Sequence, residues 1–234
     1  MKSEYTLELR TLSVLGLLLI VLTGCPPPLG DNTDQPKTVT DPDGNVYETV
    51  TIGTQVWMAE NLKTTKFNDG SPIPHVVNAT SWGALTTPGY CWYNNETINK
   101  EIYGALYNWY TVAATNLCPT GWHVPSDSEW GTMTTYLGGE LAANLKIRES
   151  GVAHWPNPNT STNSTGFSAV PGGCRDPNGV FVDVINYNYL WANTEFLNIP
   201  GFAMNRQIPC ENNCAQRATA YSKKSGFSVR CIKD

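Results

Sequence analysis

The stretch Cys118-Pro119-Thr120-Gly121-Trp122-His123-Val124-Pro125-Ser126-Asp127-Ser128-Glu129-Trp130 decides how this chain folds. Ser126 can cap the free N–H groups of a helix that starts there, and Glu129 completes a capping box. Trp130, Met133 and Leu137 follow as the buried stripe of that helix, and Gly138-Gly139 ends it. Upstream, Tyr103, Leu106, Tyr107 and Tyr110 fall at i, i+3, i+4 and i+7, which predicts a first helix over about residues 101–114. The aromatics on both stripes read as core.

The flanks of these two helices read as strand and loop. Thr38-Val39-Thr40 and Val46 to Ile52 flank Asp43-Gly44, a hairpin signal. Gly53-Thr54-Gln55 turns the chain into Val56-Trp57-Met58, and residues 61–87 are loop-like. Beyond residue 150 the helical signal fades. Residues 151–166, rich in Asn, Pro, Ser and Thr, predict a long loop. Short strand-like pieces follow at 167–170, 180–184, 189–192, 202–205, 218–221 and 227–232, separated by Gly/Pro turns. The fold class is α+β: two helices and several short, mostly antiparallel strands joined by long loops.

Only 15% of residues are charged, below the usual quarter, and the net charge of −5 comes with no Lys/Arg cluster. A basic nucleic-acid binder is excluded on that ground. Polarity comes instead from 22 Asn and 26 Thr, and 25 aromatic residues argue against a disordered chain. This balance suits a β- and loop-rich exported domain.

The N-terminus supplies an address. Leu12 to Leu22 is apolar except for Ser13 and Gly16, and is too short to cross a ~30 Å bilayer core as a helix. It reads as the apolar region of a signal peptide. It runs into Leu22-Thr23-Gly24-Cys25, which resembles a bacterial lipobox with Cys25 as the lipidated residue. In the preceding region Lys2 and Arg10 are offset by Glu4 and Glu8. The expected organisation is a signal peptide over residues 1–24, a lipidated Cys and flexible tether over 25–37, and a domain over 38–234. Pro26 rather than Asp after Cys25 gives no retention signal for the inner membrane. The expected location is the outer membrane, lipid-anchored, on the cell surface or the periplasmic face.

With Cys25 assigned to lipid, Cys91, Cys118, Cys174, Cys210, Cys214 and Cys231 remain. An even number in an exported chain allows up to three disulfides, and Cys210–Cys214 can close a local turn. A zinc site is disfavoured, because no His follows the one close pair at ligand spacing.

Four phrases now combine: Ile52-Gly53-Thr54-Gln55-Val56-Trp57-Met58-Ala59-Glu60-Asn61-Leu62, Tyr103-Gly104-Ala105-Leu106-Tyr107-Asn108-Trp109-Tyr110, the Cys118–Trp130 stretch, and Gly226-Phe227-Ser228-Val229-Arg230-Cys231. In this order they closely resemble the Fibrobacter succinogenes major paralogous domain, common in lipoproteins of Bacteroidetes and Fibrobacteres. A looser resemblance links the helices and the terminal Gly-Phe-x-x-Arg-Cys to the C-type-lectin-like fold, shared by formylglycine-generating enzymes. That resemblance implies a Cys118–Cys231 bridge. Such a bridge closes a loop of over 100 residues, worth ~4–5 kcal/mol in the chain-entropy model.

Catalytic signatures are sparse. No Gly-x-Ser-x-Gly elbow, His-Glu-x-x-His helix or phosphate loop is present, and His75, His123 and His154 stand apart in sequence. Formylglycine-generating enzymes carry a cysteine pair where Cys210 and Cys214 sit, but three residues separate them here where that pattern has four. No cofactor is expected. A structural calcium stays open, with Asp69, Asp176, Asn178, Asp183, Asn193 and Glu195 as oxygen donors, although the Glu-Pro-Asn or Gln-Pro-Asp triplet of sugar-binding lectins is absent. The expected function is non-catalytic: a recognition module for an extracellular glycan or protein. Trp155, Tyr187, Tyr189, Arg206 and Arg217 are its candidate ligand contacts, while Trp191 reads as core. The alternatives are an accessory subunit of an outer-membrane complex and a formylglycine-generating-type cysteine oxidase.

Overall fold

The computed structural model describes residues 36–211 and 217–234. The signal segment, Cys25, nearly all of the tether and Cys214 lie outside the described residues. Among the described residues, no helix is long and apolar enough to cross a membrane.

The hairpin read around Asp43-Gly44 opens the domain. Strands β1 (Thr38–Thr40) and β2 (Val46–Ile52) pair antiparallel, and β3 (Gln55–Met58) folds back on β2. Asp41 fixes the turn: one carboxylate oxygen accepts from the Asp43 and Asn45 amides, and the other from the Tyr47 hydroxyl at 2.6 Å. Next come α1 (Ala79–Gly83), β4 (Tyr90–Cys91), α2 (Ile98–Tyr103), β5 (Leu106–Tyr107) and α3 (Trp109–Val112), with β4 and β5 forming a small ladder. Then β6 (Trp122–His123) leads into α4 (Asp127–Tyr136) and α5 (Glu140–Ile147). The last segments are β7 (Gly172–Arg175), β8 (Phe181–Val184), β9 (Tyr187–Glu195), β10 (Phe202–Pro209), β11 (Arg217–Ser222) and β12 (Ile232–Lys233).

Two five-stranded sheets result. The first has the order β1-β2-β3-β12-β6, so the final strand is inserted between β3 and β6, far earlier in the chain. The second has the order β11-β10-β9-β7-β8, and within it only β7 and β9 run parallel. The α+β class holds.

The helix around Ser126 forms as its sequence dictates. Ser126 Oγ accepts from the Glu129 amide at 3.2 Å, and the Ser126 amide donates to Glu129 Oε2 at 2.7 Å. Gly138 and Gly139 stop it with positive φ, but α5 starts immediately afterwards, a helix the sequence reading lacks. It is short, and its buried side is only Ala143, Asn144 and Ile147.

The expected helix over 101–114 is corrected by the structure. It breaks at Gly104, and Leu106-Tyr107 becomes a strand. Gly104 has φ +73°, and a Cβ there would come within 2.8 Å of Asn61 Cβ and of the Leu62 carbonyl oxygen. The Ala105 amide bonds to that same carbonyl. Tertiary pairing overrides the local helical period. The piece expected as a strand at 167–170 makes only a bridge to Arg148, and of residues 227–232 only Ile232 joins a regular strand.

Two main apolar clusters fill the interior. One is built on Tyr107, Trp191 and Phe227; the other joins α4 and α5 to the sheets through Trp57, Trp130 and Phe167. Cys118 and Cys231, both buried, are joined in a disulfide with a Cα–Cα distance of 6.1 Å. Among the described residues this is the one bridge, so a full set of three is not formed. Cys91, Cys174 and Cys210 are free thiols, and Cys91 and Cys174 pack in different clusters as small apolar side chains. Burial pushes the Cys91 thiol up to about 12.

Arg230, wholly buried, ties distant segments. Its Nε and Nη2 donate to Asn61 Oδ1 at 3.2 and 2.8 Å, its Nη1 donates to the Phe167 carbonyl, and its guanidinium lies 4.1 Å from the Phe167 ring centre. Replacing Asn61 by Leu leaves that charge short of acceptors. The expected loss is ~3 kcal/mol of unfolding free energy in urea titrations. A loss below ~1 kcal/mol would show that the guanidinium does not depend on this amide.

A second tie is pH-sensitive. His123 lies 2.6 Å from Asp234 Oδ1 and 2.9 Å from Glu129 Oε1. Burial disfavours the imidazolium, but the two carboxylates outweigh it and raise the histidine above 6.5. Burial also works against the Glu129 carboxylate, yet Ser126 and His123 hold it below 4.5. The histidine contribution is complete below 6.5 and is lost as pH rises through the raised folded-state value. The Glu129 contribution is present above 4.5 and is lost as pH falls through the lowered value. Both groups are about a third exposed, so solvent screening limits the effect to ~1 kcal/mol or less. Melting curves of wild type and His123→Gln are expected to differ most near pH 6 and to converge by about pH 9. An equal gap at both values would remove the imidazolium from the tie.

Candidate functional site

Side chains alternate along β9. Tyr189 and Trp191 enter the first cluster, with Tyr187 packed against it, while Leu190 and Ala192 enter the second. On the first side the rings form a graded column. Trp191 and Phe227 have centres 4.4 Å apart, and Phe227 stacks on Tyr189 at 5.0 Å. Tyr189 adjoins Tyr187 at 5.6 Å and Tyr221 at 6.0 Å. The buried end is Trp191; the half-buried end is Tyr187 and Tyr221.

Strand register brings polar groups beside those rings. Gln207 of β10 stands opposite Tyr189, and Pro209 opposite Tyr187. Gln207 Nε2 donates to the Tyr221 hydroxyl at 2.5 Å, and the Tyr189 hydroxyl donates to Asp183 Oδ2 at 2.7 Å. Burial, reinforced by the Asp183 carboxylate, drives the Tyr189 phenol far above its ordinary range. It remains a neutral donor at every physiological pH. Burial also raises Tyr221, although the Gln207 bond works the other way. The buried Cys174 thiol is pushed up by burial and by the Asp183 and Asp176 carboxylates, which disfavours the thiolate.

The adjacent hairpin is under backbone constraint. Asp183 and Ile185 hold φ of +64° and +66°, a region costly for a β-branched residue. Gly173, at φ +62°, leaves no room for a Cβ, which would meet the Val182 carbonyl oxygen at 2.5 Å. This close approach of β7 to β8 puts Asp183 within reach of Tyr189.

The sequence-derived contacts divide. Tyr187 and Tyr189 belong to this face. Trp155 does not: it is 2% exposed, its Nε1 donates to the Ala169 carbonyl, and its ring stacks under Arg148 at 5.0 Å. The loop around it is polar in sequence yet folds over the second cluster, which covers the ring. Arg206 is held by Asp127 at the start of α4, with an ion pair at 3.0 Å and a bond from Nη2 to the Asp127 carbonyl. Arg217 stands in register opposite Arg206. Sequence reading named Asp183 only as a calcium donor and missed Gln207 and Tyr221 as members of this face. The β9–β10 register shifts between Ala203 and Asn205, so counting out from the turn misplaces Gln207, and nothing local marks Tyr221.

Four of the six oxygen donors considered for calcium have partners within the protein. Asp176 Oδ1 accepts from the Asn178 and Val180 amides, Asp69 from Ser71, Asp183 from Tyr189 and Glu195 from Lys223. Among the described residues, no group of three or more His, Cys, Asp and Glu gathers for a cation. Cys210 lies at the end of β10 near Asn186; its suggested partner Cys214 is outside the described residues.

The model of the Fibrobacter succinogenes major domain family matches residues 50–233. No curated protein and no solved structure matches the chain. The matched span runs from within β2 to the last strand and takes in the disulfide, Arg230 and the tyrosine face, so the chain belongs to the Fibrobacter succinogenes major domain family.

Proposed function

We propose that this protein is an exported, lipid-anchored recognition module of lectin-like architecture, and that the Tyr187–Tyr189–Tyr221 face binds an extracellular glycan. The anchor rests on the Leu12–Cys25 segment, and a buried disulfide suits an oxidising compartment. The lectin-like reading is supported by β12 lying between β3 and β6 and by the bridge from Cys118 to the last segment.

The observation that carries the function is the ring column with its fixed polar partners. Sugar rings offer apolar C–H faces edged by hydroxyls. The half-buried Tyr187 and Tyr221 rings cover the faces over the buried Tyr189, while Gln207 and Asp183 supply oriented acceptors beside them. The rings are braced from below by Phe227 and Trp191, so little side-chain entropy is lost on binding.

The full chain in detergent, applied to a broad glycan array, is expected to select a limited glycan set. Tyr187→Ala and Gln207→Ala are each expected to weaken the selected glycan about tenfold, ~1.4 kcal/mol, with melting midpoints within ~3 °C of wild type. Absence of any bound glycan, or wild-type affinity in both variants, rejects this reading.

A further inference from the structure

The far end of β9 borders a different feature. A cleft of about 460 Å³ is lined by Trp109, Val112 and Ala113 of the α3 region, by His123 and Val124, and by Asn193 and Glu195. Its size suits a bound side chain or small molecule, and its apolar wall carries a few polar groups. None of these residues belongs to the tyrosine face.

The charge of the cleft has a sign. Three carboxylates, Glu195, Glu129 and Asp234, stand at or beside it, against His123 and Lys223. Both cations are already committed: His123 to Glu129 and Asp234, Lys223 to Glu195 Oε1 at 2.7 Å. An anionic ligand finds no uncommitted cation among these groups. Glu195, half exposed, is paired with Lys223 through Oε1, so an incoming cation shares this carboxylate through Oε2 and balances the one carboxylate in excess of the two cations. The corner already holds one ammonium: Lys223 Nζ also lies 4.4 Å from the Trp109 ring centre.

An apolar lip adjoins the cleft. In the β9–β10 turn, Leu197 is 87% and Ile199 is 46% exposed. The turn is held by bonds from the Phe196 amide to the Phe202 carbonyl and from the Ile199 amide to the Phe196 carbonyl. Lys223 then joins lip to cleft: its amide donates to the Gly201 carbonyl, and its carbonyl accepts from the Trp109 amide. Two exposed aliphatic side chains on a backbone fixed in this way are a preformed apolar contact.

We propose that cleft and lip form one docking surface for a protein partner, which places an arginine or lysine side chain beside Glu195 and Trp109 and covers Leu197 and Ile199 with apolar residues. A neutral sugar leaves the excess negative charge uncompensated and the aliphatic lip uncovered; a basic, partly apolar peptide answers both.

The test is calorimetry on the full chain in non-ionic detergent. The probes are acetyl-Leu-Gly-Arg-Gly-Leu-amide and the same peptide with citrulline, the uncharged isostere, in place of arginine. The arginine peptide is expected to bind at least about tenfold more tightly, Glu195→Gln to erase that difference, and Leu197→Ser to weaken binding several-fold. Tyr187→Ala is expected to leave it unchanged, which separates this surface from the glycan face. Equal binding of the two peptides, retention of the difference in Glu195→Gln, or no saturable binding up to ~10 mM overturns the proposal. So does a Leu197→Ser variant that loses self-association in sedimentation while binding the arginine peptide normally, because the lip then belongs to a second copy.

Discussion

The fold depends on burying a positive charge whose hydrogen bonds go to an amide and a backbone carbonyl instead of a carboxylate. Arg230 sits between Asn61, which follows β3, and Phe167, which ends the long loop, and is itself next to the disulfide cysteine Cys231. Burial lowers its pKa to about 9, which still leaves it charged at neutral pH. Taking a cation out of water costs several kcal/mol, so the acceptors must be in place before the site is closed. A guanidinium suits this role because it is planar, weakly hydrated and presents five donors. Here those donors meet an amide and a carbonyl oxygen while a phenyl ring covers the plane. Segments from the start, middle and end of the domain can each be positioned only if the other two are.

The same solution recurs. Arg175 donates to the Gly179, Val76 and Val77 carbonyls and lies between the Trp82 and Phe181 rings. Arg148 donates to Ser161, Asn159 and the Pro209 and Cys210 carbonyls and covers Trp155. Each arginine fastens irregular backbone to a sheet or helix end. Loops as long as residues 151–166 carry many backbone carbonyls that no ladder satisfies. A buried guanidinium can collect several of them at one point. This explains why a chain with so few charges keeps some of them in its interior, and why long irregular stretches are compatible with an ordered domain.

Local signals were legible where a few neighbouring residues decide the outcome. The Ser126–Glu129 capping box, the Asp43-Gly44 hairpin and the strand over 46–52 needed nothing from elsewhere in the chain. The helix expected over 101–114 failed because Gly104 and Ala105 are claimed by residues 61 and 62, and no local pattern reports that contact. Trp155 failed for a related reason: a Pro/Asn loop looks solvated until Arg148 and Ala169 fold it over an aromatic ring. At the tyrosine face, alternation along β9 showed Tyr187 and Tyr189. Asp183 arrives through a left-handed backbone, and Tyr221 through the β10–β11 register, which shifts between Ala203 and Asn205. The cleft was invisible for the same reason, since its lining comes from three separated segments.

The two surfaces share β9 but need not communicate. The Tyr187 end is braced by Phe227, and the Glu195 end by Lys223 and Trp109. Between them lies Trp191, wholly buried, its Nε1 bonded to the Tyr107 carbonyl and its amide to the Ser228 carbonyl. Coupling between sites requires an element with two accessible arrangements. A tryptophan fixed on its ring and on its backbone, in the centre of a packed sheet, is a poor candidate for one. The two proposed sites are therefore expected to act independently, and such a strand can present two surfaces at once, as a module that bridges two partners would need.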